Sequence, residues 1–182
     1  MKSRLDSLHL IERSCWQELE RAAHEREHGW HLLTLASIAG DRADARSVIL
    51  RDVRPAERAL VIYTDHRSPK AGQIRARPLG TLVGWSAALA WQLRLEVTLE
   101  LQTDGLDVSS RWARMKVSAS AADYLAAVAP GTPLDHHTPQ RGSREHFAVV
   151  VAQITAIDWL ELHADGHRRA RFDAQGPRWL AP

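Results

Sequence analysis

Ala45-Arg46-Ser47-Val48-Ile49-Leu50-Arg51, a turn through Asp52–Arg58, and Ala59-Leu60-Val61-Ile62-Tyr63-Thr64-Asp65 read as two neighbouring strands. Both runs are rich in apolar and β-branched residues and are bounded by turn formers. His66-Arg67-Ser68-Pro69-Lys70-Ala71-Gly72-Gln73-Ile74-Arg75 follows at once. Ser68-Pro69 marks a helix start, because Ser is a favoured N-cap and Pro fits the first helical position, where a missing N–H costs nothing. Lys70 then falls in the first turn, against the positive end of the helix dipole, where an acid is preferred. A bound anion resolves that conflict, since exposed N–H groups, dipole and Lys70 all favour one phosphate. Arg46 and Arg67 reach the same spot if the two strands are adjacent. A solvated basic loop is the alternative reading of these residues.

Outward from this stretch, Trp30–Ile38 reads as a first strand, joined through Gly40-Asp41-Arg42 to the Arg46 strand. Leu79–Ser86 is a short apolar strand. The clearest periodicity comes next: Trp91, Leu93, Leu95, Val97, Leu99 and Leu101 alternate with Gln92, Arg94, Glu96, Thr98, Glu100 and Gln102. That pattern is a long strand with one buried and one polar face. Phe147–Ile154, Ala156–His163 and Arg168–Phe172 are the remaining strands. Helices are predicted over Leu5–Glu27, Asp107–Met115 and Ser118–Val128, the first ended by Gly29 and the last by Pro130-Gly131-Thr132-Pro133. Leu134–Glu145 reads as a polar surface loop. Short strands with turn signals favour a barrel or sandwich over a doubly wound sheet. A single domain over residues 1–182 is expected, with residues 1–29 as an N-terminal helix packed on it.

Composition narrows the function classes. Of the 182 residues 45% are hydrophobic and 25% charged, the balance of a soluble globular domain. A net charge of +2 and interspersed basic residues argue against a nucleic-acid partner. The single cysteine, Cys15, excludes an intramolecular disulfide and fits a reducing cytoplasm. The N-terminus is charged every few residues, unlike a signal peptide, and no apolar run is long enough to span a bilayer. A cytoplasmic protein without membrane contact is therefore expected.

Two histidine groups must be weighed as metal sites. His24-Glu25-Arg26-Glu27-His28 matches the H-E-x-x-H pattern of zinc proteases, which puts two imidazoles on one helical face. It falls at the charged end of a helix with no third-ligand motif after it, and His is favourable near a helix C-terminus anyway. The adjacent pair His136-His137 cannot build a site alone. No metal is expected.

The ordered set Arg46-x-Val48-x-Leu50, Tyr63-Thr64-Asp65-x-Arg67-Ser68-x-Lys70-x-x-Gln73-Ile74, Arg77-Pro78, Trp91-Gln92-Leu93-Arg94, Arg169-x-Arg171-Phe172 and Trp179-x-x-Pro182 resembles the pyridoxamine 5′-phosphate oxidase family. The likeness runs from about His31 to Pro182. It implies a mainly β (α+β) fold, a six-stranded antiparallel split β-barrel with flanking helices, and a homodimer with FMN between the subunits. By this resemblance Arg46 and Lys70 hold the FMN phosphate with Arg67 and Ser68 assisting. Val48, Ile49 and Leu50 line the flavin with backbone groups, Tyr63 and Thr64 flank it, and Gln92 and Arg171 reach it.

The implied activity is oxidation of a small substrate by hydride transfer to flavin, with a vitamin B6 phosphate as one substrate. No residue stands out as an essential acid or base. The chain departs from the family pattern in several places. Pro69 replaces the arginine before the lysine, and Leu160 stands where a tryptophan stacks near the flavin. His167 and Arg169 alter the C-terminal substrate motif. At the substrate-phosphate positions the chain offers Arg51, Ser110, Arg114 and Ser118, with Arg169 in the altered motif. The alternative is an FMN-binding protein or flavin reductase without pyridoxamine phosphate oxidase activity.

Overall fold

The structure is a computed structural model that describes residues 4–136, 142 and 144–182. Eight strands form one antiparallel sheet: β1 Leu32–Ala39, β2 Arg42–Arg54, β3 Ala59–Asp65, β4 Leu79–Ser86, β5 Trp91–Gln102, β6 Phe147–Glu161, β7 Arg168–Asp173 and β8 Gly176–Leu180. Their order is β3-β2-β1-β4-β5-β6-β7-β8, and β3 also pairs with β6. That last pairing closes six strands into a ring, with β7 and β8 carried outside it on β6. The expected six-stranded split barrel is therefore present, with a two-stranded extension. The extension includes β8, which opens on Gly176-Pro177 and is not among the expected strands. Gly176 has a φ of +92°, the left-handed geometry that a tight Asp173–Gly176 turn requires.

β6 makes this topology possible because it is 15 residues long. Its first half pairs with β3, its second half with β7, and β5 runs along nearly all of it. The two strands expected over 147–154 and 156–163 are one strand with a bulge. Ile154 opposes Val97 and Ala156 opposes Glu96, leaving Thr155 as the extra residue. The Thr155 hydroxyl donates to the Glu96 carbonyl at 3.1 Å.

Alternation along the strands sends Leu33, Leu35, Val48, Leu50, Leu60, Ile62, Leu93, Leu95 and Trp159 into the barrel interior. Helix α1, Leu8–His24, adds Ile11, Cys15, Leu19 and Ala22 to that core, one stripe at helical spacing. It is shorter than the expected Leu5–Glu27, because Ser7 caps it by accepting from the Leu10 amide at 3.3 Å and Glu25 is already extended. Gly29 serves by size rather than handedness: a Cβ there would lie 2.5 Å from the Trp85 carbonyl oxygen.

Helix α3, Leu106–Met115, covers the outer face of β3 and β6 with Val108 and Trp112 over Val61, Phe147 and Val149. The expected helix over Ser118–Val128 is only a 3₁₀ segment, Ala119–Tyr124. The carbonyls of Ala126 and Ala127 accept from Arg67 at 2.7 and 3.4 Å, and that of Leu125 accepts from the Gly142 amide. Tertiary partners thus take the groups a helix would use internally. Half of the expected loop at 134–145, His137 included, lies outside the described residues.

Candidate functional site

Helix α2, Pro69–Ala76, lies over one end of the barrel, with Ala71 and Ile74 buried against it. Ser68 is its N-cap and Pro69 its first residue, as expected. The Ser68 hydroxyl does not cap the helix, however. It lies 3.3 Å from Thr64 Oγ1, and the Lys70 ammonium donates to Thr64 Oγ1 at 3.1 Å and reaches Ser68 Oγ at 3.5 Å. Among the described residues no carboxylate lies within ion-pair distance of Lys70. Its pKa is lowered, first by burial and then by the like charge of Arg46, while Asp65 pulls the other way.

Arg46 shares the inward face of β2 with Val48 and Leu50, and so points toward the same end of the barrel. Its guanidinium donates to the Leu35 carbonyl at 3.3 Å, to Gln73 Oε1 at 2.8 Å, and to Ser37 and Asp44. The structure therefore brings Arg46, Thr64, Ser68 and Lys70 together, and adds Ser37, Asp44 and Gln73. Two of these additions follow from spacing: Asp44 precedes Arg46 by two on one strand face, and Gln73 follows Lys70 by three on the helix. Arg67 is turned away from this cluster. Its guanidinium is bound to Asp65 at 2.6 Å and reaches the Ala126 and Ala127 carbonyls. Burial would raise the Asp65 carboxyl, but the hydrogen bonds from Arg67 outweigh it and the pKa is lowered.

The other expected residues lie elsewhere. Val48 and Leu50 are side chains of the barrel core, and Ile49 alternates outward. Tyr63 belongs to the outer cluster under α3, edge-on to Phe147 and Tyr124 at centroid distances of 5.1 and 6.1 Å. Arg51 joins that cluster. Its guanidinium carbon lies 5.7 Å from the centroid of each tyrosine ring, and it donates to the Tyr124 hydroxyl at 2.8 Å. Arg114 and Ser118 are exposed and are not brought to Arg51, and the Ser118 hydroxyl bonds the Met115 carbonyl instead. The arginine that α3 buries there is Arg111, tied to Asp52 at 2.9 Å and Asp107 at 3.0 Å. Its one-turn spacing after Asp107 was the signal for it.

Gln92 and Arg171 project from the outward faces of β5 and β7, opposite to the buried Trp91, Ala170 and Phe172. Arg171 bonds Glu96 through both terminal nitrogens at 2.8 Å and Asp173 at 2.7 Å. Arg169 pairs with the buried Asp158 at 2.8 Å. The H-E-x-x-H segment forms no metal face, since α1 ends at His24 and His28 lies beyond it. His28 Nε2 is 3.0 Å from Glu18, and its Nδ1 accepts from the Trp30 amide. Among the described residues no cluster of metal-ligating side chains occurs, and no helix is long and apolar enough to cross a membrane.

The family described as pyridoxamine 5′-phosphate oxidase, FMN-binding domain, matches residues 13–103, half of the 182. A pyridoxine/pyridoxamine 5′-phosphate oxidase of Microcystis aeruginosa is 36% identical over 85 residues, which is 46% of this chain but only 39% of that protein's length. The protein of the same description from Thermosynechococcus vestitus is 29% identical over 163 residues, 81% of this chain and 75% of the relative. A solved structure of a pyridoxamine 5′-phosphate oxidase-related, FMN binding protein from Nostoc punctiforme superposes with a TM-score of 0.73 at 20% identity. It covers 93% of this chain and 96% of its own, a likeness of fold. Arg46, Lys70 and Gln92 lie inside the family match, whereas Arg169 and Arg171 lie beyond it.

Proposed function

The chain belongs to the pyridoxamine 5′-phosphate oxidase FMN-binding family, and on that premise we propose that it is an FMN-dependent oxidoreductase acting on a small substrate. The observation that carries this reading is the pair of cations at the opening of α2. Lys70 is partly buried on hydroxyl oxygens and feels Arg46 as a like charge. Asp44 offsets Arg46, but Lys70 has no ion-pair partner among the described residues, so an anion bound between the two cations would relieve its cost to the fold. The ribityl phosphate of FMN, with nearly two negative charges and acceptor oxygens on all sides, fits that donor set. Lys70 and Arg46 would hold its charge, and Ser68 and Thr64 would donate hydroxyls. Bound FMN would supply the hydride acceptor.

Gln92 would meet the flavin from the outward sheet face, and Arg171 would do so by exchanging part of its contact with Glu96 and Asp173. That face is not the one that carries the phosphate cup, so a flavin touching both sets joins two copies of the chain. The homodimer follows from this reading. Exposed Leu32, Leu79 and Trp85 on β1 and β4 give such a pairing apolar surface.

Arg169 is committed to Asp158, Arg111 to Asp52 and Asp107, and Arg114 is exposed, which leaves Arg51 as the cation available to a substrate anion near Tyr63. That sparse set favours a second reading, a flavin reductase or FMN-binding protein that does not turn over pyridoxamine phosphate. Anaerobic incubation of the FMN-loaded protein separates them. Bleaching of the flavin by pyridoxine or pyridoxamine 5′-phosphate is the result expected of the oxidase. Bleaching by NADPH alone identifies the reductase and rejects the oxidase.

A further inference from the structure

The cup at the opening of α2 carries its own anion. Asp44 and Arg46 lie two residues apart on one face of β2 and are joined by a carboxylate–guanidinium bond. Gln73 Nε2 donates to the same Asp44 oxygen at 2.7 Å. Gln73 Oε1 accepts from Arg46 at 2.8 Å and from Ser37 at 2.6 Å, so the four side chains close a ring. The Asp44 carboxyl is held below its ordinary range by the Gln73 hydrogen bond and then by Arg46. The two partners differ in freedom. The Asp44 side chain is 44% exposed and the Arg46 side chain 18%, so the carboxylate can turn into water while the guanidinium stays in place.

We propose that Asp44 is a built-in competitor for the phosphate of the ligand, and so sets how tightly the cup binds. Its carboxylate takes the edge of Arg46 that a phosphate oxygen would take. Binding then requires Asp44 to turn outward, while Ser37, Gln73 and the Leu35 carbonyl keep Arg46 aimed. Without Asp44, Arg46 would lose its carboxylate partner and face Lys70 with Asp65 as the acid still acting on that ammonium. The carboxylate therefore supports the ligand-free fold at the expense of affinity. A pair whose carboxylate is open to water is screened and weaker than a fully buried one, which suits an anion that must yield.

This inference rests on reading the cup as the FMN phosphate site, and the test keeps the two apart. FMN and riboflavin, which lacks the phosphate, are titrated into the apo-protein by flavin fluorescence, using wild type, Asp44→Asn and Asp44→Glu. Asp44→Asn keeps an oxygen for Arg46 but removes the charge. It is expected to bind FMN tighter by about threefold or more, with riboflavin affinity unchanged and Asp44→Glu close to wild type. The gain should shrink as salt is added. An Asp44→Asn variant that binds FMN equally or more weakly overturns the proposal, because a residue that merely orients Arg46 gives a loss. If wild type binds FMN no better than riboflavin, the phosphate site itself fails and takes this inference with it. If wild type prefers FMN and Asp44→Asn leaves that preference unchanged, only the role of Asp44 fails.

Discussion

Lys70 is kept in place by geometry and not by a counter-charge. Its ammonium is partly buried, its partners are two hydroxyls, and burial with the like charge of Arg46 outweighs the pull of Asp65. A buried cation without an ion-pair partner costs the ligand-free fold stability. Lys70→Ala should therefore melt at or slightly above the wild-type temperature in the apo state. The same change, or Arg46→Ala, should weaken FMN about tenfold to a hundredfold, since each charge-assisted donor to a phosphate contributes about 1.5–3 kcal/mol. Fluorescence titration and a melting curve on the same samples read both effects. Unchanged FMN affinity would remove these two side chains from the site.

At the scale of the elements, period and punctuation carried the reading a long way. β3, β4 and β5 end where the sequence pattern ends, because alternation over a half-buried sheet fixes which residues face inward. Ser68-Pro69 starts α2 for the local reasons of capping and ring geometry. The misses have tertiary causes. Thr155 reads as a strand break but is a bulge, and residues 125–127 leave the helical path because Arg67 and Gly142 use their carbonyls. Within the site, Arg46 and Lys70 were legible as charges in a motif. The turning away of Arg67 was not, since Asp65 lies two residues before it and an Asx turn competes with any ligand. One element-level contact has a pH signature. Glu161, at the end of β6, binds Arg4 at 2.6 Å and Arg168 at 2.9 Å, tying the N-terminal segment to β7. Burial would raise its pKa, but the hydrogen bonds from Arg168 and Arg4 outweigh it and the pKa is lowered from 4.5. A depressed carboxyl contributes stability that is fully present above its unfolded pKa and is lost as pH falls through the folded value. Wild type should thus exceed Glu161→Gln by about 1–3 kcal/mol at neutral pH, with the gap closing at acid pH below that unfolded value. Denaturant melts across pH check this, and a gap constant down to strong acid would reject the mechanism.

For the molecule as a whole, the question is whether one chain can hold a flavin. Arg46 lies on an inward-facing position of β2 and Lys70 in the first turn of α2, and Gln92 and Arg171 stand on the outward face of β5 and β7. A strand residue cannot change faces without a register slip that would turn the core inside out. If one flavin touches both sets, as proposed, they meet only when a second copy brings its outward face to the first copy's cup. That arrangement makes a specific prediction about mixtures. Lys70→Ala and Arg171→Ala homodimers should each bind FMN weakly, since every site in either has lost one cation. A dimer with one subunit of each kind has one site missing both cations and one site intact. Refolding the two variants together and isolating the mixed dimer by differential tags should recover one FMN site of wild-type affinity per dimer, measured by flavin fluorescence. If both half-sites belonged to the same chain, every site in the mixture would keep one defect. No tight binding would then return, and the shared site would be ruled out.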